Sequence, residues 1–168
     1  DKFDEVADVF LGRGTVSTEF GANQVIIVRS QEAKRSLPRQ LAGALVMTPS
    51  EAKGMEFKDV IVYNFFKDSE ASDRAWGAGA REIVGVALTD SQAAAFDSRQ
   101  HLVLADELKQ LYVACTRARE RLVFFDQSAT ARKAFFDALL HRRIGRAHNA
   151  VLKSNCRGVS FMTFRTTH

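Results

Sequence analysis

Two arginines and one glycine-containing turn are the residues of this chain whose types and placement could do chemistry together. Arg117 stands in the run Leu111-Tyr112-Val113-Ala114-Cys115-Thr116-Arg117-Ala118-Arg119, and Arg29 directly follows the apolar run Val25-Ile26-Ile27-Val28. Between them lies Thr48-Pro49-Ser50-Glu51-Ala52-Lys53-Gly54-Met55-Glu56-Phe57. An arginine offers a planar, permanently charged fork of donors that matches the oxygens of phosphate. Two of them beside a turn rich in backbone donors suit a polyphosphate, and that is the chemistry the sequence suggests first.

These residues need a frame. Gln24–Val28, Ala44–Met47, Val60–Phe66 and Leu122–Phe125 are short, continuous apolar runs of the kind that form strands buried on both faces. Ser30 is a candidate N-cap for a helix over Gln31–Leu37, which Pro38 would stop. Leu108, Leu111, Cys115, Ala118 and Leu122 recur at helical spacing, so a helix is expected before the fourth strand, with Arg117 on its outward side. Ala131–Arg142, with Phe135, Phe136, Leu139 and Leu140 on one face, is expected as a terminal helix. Strands alternating with helices imply an α/β domain with a mostly parallel sheet flanked by helices. In such a sheet ligands bind at the carboxyl ends of the strands, where Arg29, the Thr48–Phe57 segment and Arg117 are expected to meet.

The remaining stretches are less patterned. Residues 1–23 read as an N-terminal connection containing a short helix over Phe3–Leu11. Residues 67–105 read as an excursion on the sheet edge, with a strand over Ile83–Leu88 and a helix-like piece over Ser91–Phe96. The domain proper is therefore placed at 24–128, and 129–168 is a basic helix and tail.

Composition bounds the function classes. At 168 residues and 46% hydrophobic, the chain has enough apolar material for one core. The two cysteines, Cys115 and Cys156, make neither a disulfide framework nor a zinc-like spacing with the four histidines, so no metal site is expected and an intracellular location, nucleus or cytoplasm, fits. No apolar run approaches the roughly 18 residues of a membrane span, and Asp-Lys-Phe-Asp-Glu is unlike a signal peptide. The start at Asp1 rather than Met suggests a fragment or a processed product. Net charge is +4, yet the residues from Ala129 onward carry +7 and residues 1–128 carry −3. That asymmetry reads either as a solvated basic helix or as a surface for an anionic partner such as single-stranded nucleic acid.

The Thr48–Phe57 segment resembles motif V of superfamily-one helicases of the UvrD/Rep type, whose pattern is Thr-x-His-x-x-Lys-Gly-Leu-Glu-Phe. Leu111–Arg119 is similar to their motif VI, and Val25–Arg29 with its following helix is similar to motif IV. Order and spacing over residues 20–128 resemble the second RecA-like domain of that family, the half without the P-loop. The stretches Glu51–Val60 and Tyr63-Asn64-Phe65-Phe66 look closest to the helicase-like region of the large TPR and ankyrin repeat-containing proteins.

The resemblance implies roles residue by residue. Arg117 and Arg29 would be the catalytic arginines that contact the γ-phosphate of ATP, with Gly54 and Glu56 also on the nucleotide, Glu56 at its ribose. Thr48, Ser50 and Lys53 would contact the nucleic acid, DNA or RNA. Two positions depart from the family pattern: Ser50 stands where histidine is usual, and Val28 where a tyrosine is frequent. ATP and Mg²⁺ would be held mainly by a partner, the N-terminal RecA-like ATP-binding domain, because these 168 residues contain no Gly-x-x-x-x-Gly-Lys-[Ser/Thr]. Asp68-Ser69-Glu70 has the look of a magnesium-binding acidic pair, but no phosphate loop precedes it. The implied function is the C-terminal motor module of an ATP-dependent helicase, which would not hydrolyse ATP unaided. A helicase-derived scaffold module without ATP-driven activity is the alternative, and simple nucleic-acid binding through the basic end is a third reading.

Overall fold

In the computed structural model the described residues are 23–41, 43–84, 101–128, 133, 135–137, 146–148 and 160–165. Their elements run in the order β1 (Gln24–Val28), α1 (Gln31–Arg35), a 3₁₀ turn (Arg39–Leu41), β2 (Val46–Met47) and β3 (Phe57–Tyr63). The helices α2 (Asp73–Val84) and α3 (Leu102–Cys115) follow, then β4 (Ala118–Asp126), β5 (Arg146–His148) and β6 (Ser160–Arg165). The strands form one sheet in the order β2-β1-β3-β4-β6-β5. β1 is parallel to β2 and β3, and β3 is parallel to β4, while β6 is antiparallel to both β4 and β5. The fold class is mixed α/β, with a four-stranded parallel sheet and helices, as the strand-helix alternation implies.

Period-two alternation along buried strands sends successive side chains to opposite faces, and both faces here are covered. Val25, Ile27, Val60, Val62, Leu122 and Phe124 meet Trp76 of α2, Leu104, Leu111 and Ala114 of α3, and Ala52. Ile26, Val28, Ile61, Tyr63, Val123 and Phe125 meet Ala33, Leu37, Leu41, Ala44 and Val46 on the other side. Helix α1 begins as expected, with the Ser30 hydroxyl accepting from Ala33 N at 3.2 Å. It ends at Arg35, two residues short of the expected Leu37.

Several expected boundaries move, each for a physical reason. β3 starts at Phe57 and stops at Tyr63, because Asn64 takes a left-handed φ of 50° and turns the chain. The Asp126 carboxylate, fully buried, then accepts from the Phe66 backbone N–H at 2.7 Å and from Ser128 N at 2.7 Å, so it holds this turn beside the end of β4. β4 starts at Ala118 rather than Leu122, so Ala118 and Leu122 belong to a strand and not to the helix. α3 starts at Leu102, earlier than the expected helix around Leu108, and Arg117 lies in the turn after it.

The glycine-alanine stretch at 76–80 is the middle of α2, and Val84 closes that helix, so the expected strand over Ile83–Leu88 begins inside a helix. Its remainder, the Ser91–Phe96 piece and the helix over Phe3–Leu11 lie outside the described residues. Of the expected terminal helix, residues 133 and 135–137 are helical, and Phe135 and Phe136 are buried against Phe66 with ring centroids 5.3 and 5.7 Å away. Two stretches of the expected tail, Arg146–His148 and Ser160–Arg165, are strands of the sheet.

Trp76 ties these parts together. It is completely buried, meets the Phe66 ring edge-on at 4.8 Å, and donates from Nε1 to Ser69 Oγ at 3.1 Å. Trp76→Ala removes that packing and leaves a cavity; the expected cost is about 3–5 kcal/mol of stability, measured by urea unfolding.

Candidate functional site

The sheet has two distinct ends. Because β1 to β4 are parallel, all four begin at one edge and finish at the other. Arg29 follows Val28, and Thr48 follows Met47, so both stand at the carboxyl edge. Met55 and Glu56 precede Phe57, and Arg117 precedes Ala118, so these stand at the amino edge. The expected meeting of both arginines at the carboxyl ends therefore does not occur. In register, Val28 pairs with Tyr63, and Ala118 with Phe57. The Cα positions of Arg29 and Arg117 are thus about eight residue steps apart, roughly 26 Å along the strands.

At the amino edge, Arg117 is the hub. Its carbonyl accepts from Phe57 N at 2.8 Å, and its N–H donates to Ala114 O at 3.3 Å. Its guanidinium donates from Nε to Val113 O at 3.1 Å, from Nη1 to Met55 O at 2.9 Å and from Nη2 to Thr116 Oγ1 at 3.0 Å. A cation at the carbonyl end of α3 is also favoured by the helix dipole. The 48–56 connection brings Met55 there by a turn that needs Gly54, whose φ of +81° strains any residue with a Cβ although the space beside it is open. Glu56 is exposed and faces Arg119 at 3.9 Å, whereas Lys58 faces Glu120 at 3.6 Å, so Glu56 pairs across to β4 rather than with Lys53 or Lys58. Gly54, Glu56 and Arg117 are thus brought to one edge.

At the carboxyl edge, Thr48 and Glu51 cap each other's turn. Thr48 N donates to Glu51 Oε2 at 2.8 Å, and Glu51 N donates to Thr48 Oγ1 at 3.3 Å. Thr48 is consequently buried and its hydroxyl engaged, while Ser50 and Lys53 remain exposed. Glu51 also accepts from Gln31 Nε2 at 2.8 Å and Lys34 Nζ at 3.0 Å, which ties the turn to α1. The Thr48 N–H, then Gln31 and Lys34, hold its carboxyl well below the usual carboxylate range, at about 2.

Arg29 is committed elsewhere. It forms a bidentate ion pair with Glu107 of α3, with contacts of 2.6, 2.8 and 2.9 Å, and Glu107 is only 1% exposed. Those Glu107 bonds raise the guanidinium further above its ordinary value. The Glu70 N–H adds a third donor to Glu107 at 3.4 Å. The anchor points of the two arginines on α3, Glu107 and Val113, lie about 9 Å apart along the helix. Arg29 fastens α3 to the end of β1, a role invisible in a sequence where 78 residues separate the partners.

Asp68 has its carboxyl pushed up by burial, and the Glu70 backbone serves Glu107. Among the described residues no group of three His, Cys, Asp or Glu could hold a metal ion, and no helix is long and apolar enough to cross a membrane. The Cys115 thiol is pushed up to about 12 by burial, which suits packing rather than reactivity.

Over 148 residues the chain is 39% identical to TPR and ankyrin repeat-containing protein 1 of Homo sapiens. The similarity takes in 77% of this chain and 5% of that protein, so the chain spans about one-twentieth of its relative's length. No family model matches the chain, and no solved structure matches it.

Glu51→Gln tests the carboxyl-edge turn. A carboxyl depressed in the folded state stabilises above its unfolded value, near 4.3, and that stability is lost as pH falls toward the folded value. The variant is expected to lose about 0.5–1 kcal/mol near neutral pH, a small amount because the Lys34 pair is partly exposed. The difference from the parent should shrink as pH falls from about 5 toward about 2 in urea titrations.

Proposed function

We propose that this chain is the second RecA-like half of a UvrD-like, ATP-dependent motor, contributing Arg117 to a nucleotide held by a partner RecA-like domain on the same or an associated chain. The observation that supports this most is the assembly of Gly54, Glu56 and Arg117 at the amino edge of β3 and β4, with the guanidinium fixed by main-chain acceptors. Among the described residues three of its five N–H groups have acceptors, which leaves two for an anion. Preorganised donors of this kind stabilise charge that develops on a transferring phosphoryl group.

ATP and Mg²⁺ fit this reading only in part. Arg117 would meet the γ-phosphate and Glu56 the ribose, while the phosphate cradle and the magnesium ligands would come from the partner domain. ATP supplies the phosphoryl transfer; this chain's part is to present a cation and an exposed carboxylate at one rigid edge. Single-stranded DNA or RNA would lie across the opposite, carboxyl edge, at Ser50 and the turn that Thr48 caps, with Lys53 on the path that leads from there toward Gly54. The 48–56 connection would link the two, because it begins at one edge and ends at the other. Arg29 falls outside the nucleotide contact in this proposal and acts by holding α3.

A second reading, a helicase-derived scaffold without ATP-driven movement, draws on two observations: Ser50 in place of the family histidine, and the similarity to a protein named for its TPR and ankyrin repeats. ATP turnover separates the two. In the complete protein that contains this chain, Arg117→Ala is expected to lower turnover about 10³-fold or more while leaving ADP affinity near the parent value. Unchanged turnover in that variant, or a parent protein that binds no ATP, removes the motor reading.

A further inference from the structure

Thr116 connects Arg117 to its helix. A threonine hydroxyl carries one hydrogen and two lone pairs. Here the hydrogen is directed at the last carbonyls of α3, with Oγ1 3.0 Å from Tyr112 O and 3.1 Å from Val113 O. With its proton committed, the oxygen faces Arg117 as an acceptor, and it takes the Nη2 hydrogen at 3.0 Å.

Each of the three guanidinium nitrogens then has its own acceptor: Nε on Val113 O, Nη1 on Met55 O and Nη2 on Thr116 Oγ1. Three acceptors at three corners define the plane of the group. The first belongs to α3 and the second to the turn made by Gly54, both on main chain. Thr116 is the one side chain in the set. Its backbone also closes the helix, with the Thr116 N–H reaching Ala114 O and Tyr112 O, so the hydroxyl is held on a fixed base.

We propose that Thr116 is the positioning residue for Arg117: its hydroxyl, anchored on the carbonyl end of α3, sets the guanidinium plane so that the two uncommitted N–H groups are presented to a phosphate oxygen. This rests on the nucleotide reading above. Removing the hydroxyl leaves Arg117 in place on Val113 and Met55 but free to rotate about that edge. The loss is one of alignment, and misalignment lowers the rate of transfer more than the binding of substrate.

The test uses the complete protein that contains this chain, with Thr116→Val, which keeps shape and removes the hydroxyl, and Thr116→Ser, which keeps the hydroxyl. Thr116→Val is expected to lower kcat for ATP roughly 10- to 100-fold, with KM for ATP and affinity for ADP near the parent values. Thr116→Ser should retain kcat, and Thr116→Val should add no further loss in an Arg117→Ala background. A parent-like kcat in Thr116→Val overturns the proposal. So does an equal further loss in the Arg117→Ala background, which would show that Thr116 acts through something else. If Thr116→Val loses ADP binding and thermal stability together, the hydroxyl supports the fold and the positioning role is again overturned. If Arg117→Ala itself turns over ATP normally, the nucleotide reading fails and the proposal with it, an outcome distinct from failure of Thr116 alone.

Discussion

Parallel pairing of β1 to β4 is the constraint on which the rest of this structure depends. Strands that all run one way cannot be joined by tight turns, so each connection must travel back over a face of the sheet. Between β1 and β2 the return is made by α1 and a 3₁₀ turn, and between β3 and β4 by α2 and α3. The return from β2 to β3 is the 48–56 segment, which is neither helix nor strand. It can lie against the sheet only because Ala52 is completely buried in the same core as α3, and because Gly54 accepts the backbone angle that turns the chain into β3.

A consequence is that chemistry is sorted by edge. Turns that end a return path arrive at the amino edge, and turns that begin one leave from the carboxyl edge. Arg117 and Met55 both end return paths, so they meet: the Arg117 carbonyl accepts from Phe57 N and its side chain donates to Met55 O. Arg29 and Thr48 both begin them. The Arg29–Glu107 pair, with Glu107 buried, fastens the first half of α3 to the end of β1, and the Arg117 turn is where that crossing finishes. Breaking one member of such a pair leaves a buried charge without its partner, so α3 is firmly tied to β1 at this point.

Much of the frame was legible in the sequence. β1 was bounded correctly by its apolar run, and the Ser30 cap by its position before Ala33, because both signals are local. Within residues 67–105, expected as an excursion, the Gly-Ala stretch is helical for a physical reason. Small residues suggest looseness when read alone, yet a Cβ on Gly79 would come within 3.0 Å of Leu104 Cδ2, so glycine there permits close approach of α2 and α3. β4 begins before its apolar run because Ala118 and Leu122, which also fit a helical spacing, are strand residues; Arg121 between them is paired at 2.8 Å with the buried Asp59 of β3. β5 and β6 are antiparallel additions to an otherwise parallel run, which no local period announces. For the site, the residues that the motifs group together divide in the structure, with Gly54, Glu56 and Arg117 at the amino edge and Arg29 at the carboxyl edge. Arg29 follows its strand and Arg117 precedes its strand, and once β1 to β4 are parallel that order alone puts the two at opposite edges.

In the function proposed, the amino edge, and not the carboxyl edge, faces the nucleotide. A structure of the complete protein with a non-hydrolysable ATP analogue tests this most directly. An Arg117 nitrogen is expected at about 3 Å from a γ-phosphate oxygen, with Arg29 still paired to Glu107. A γ-phosphate bound at Arg29, or one out of reach of an Arg117 still resting on Met55 and Val113, would contradict it.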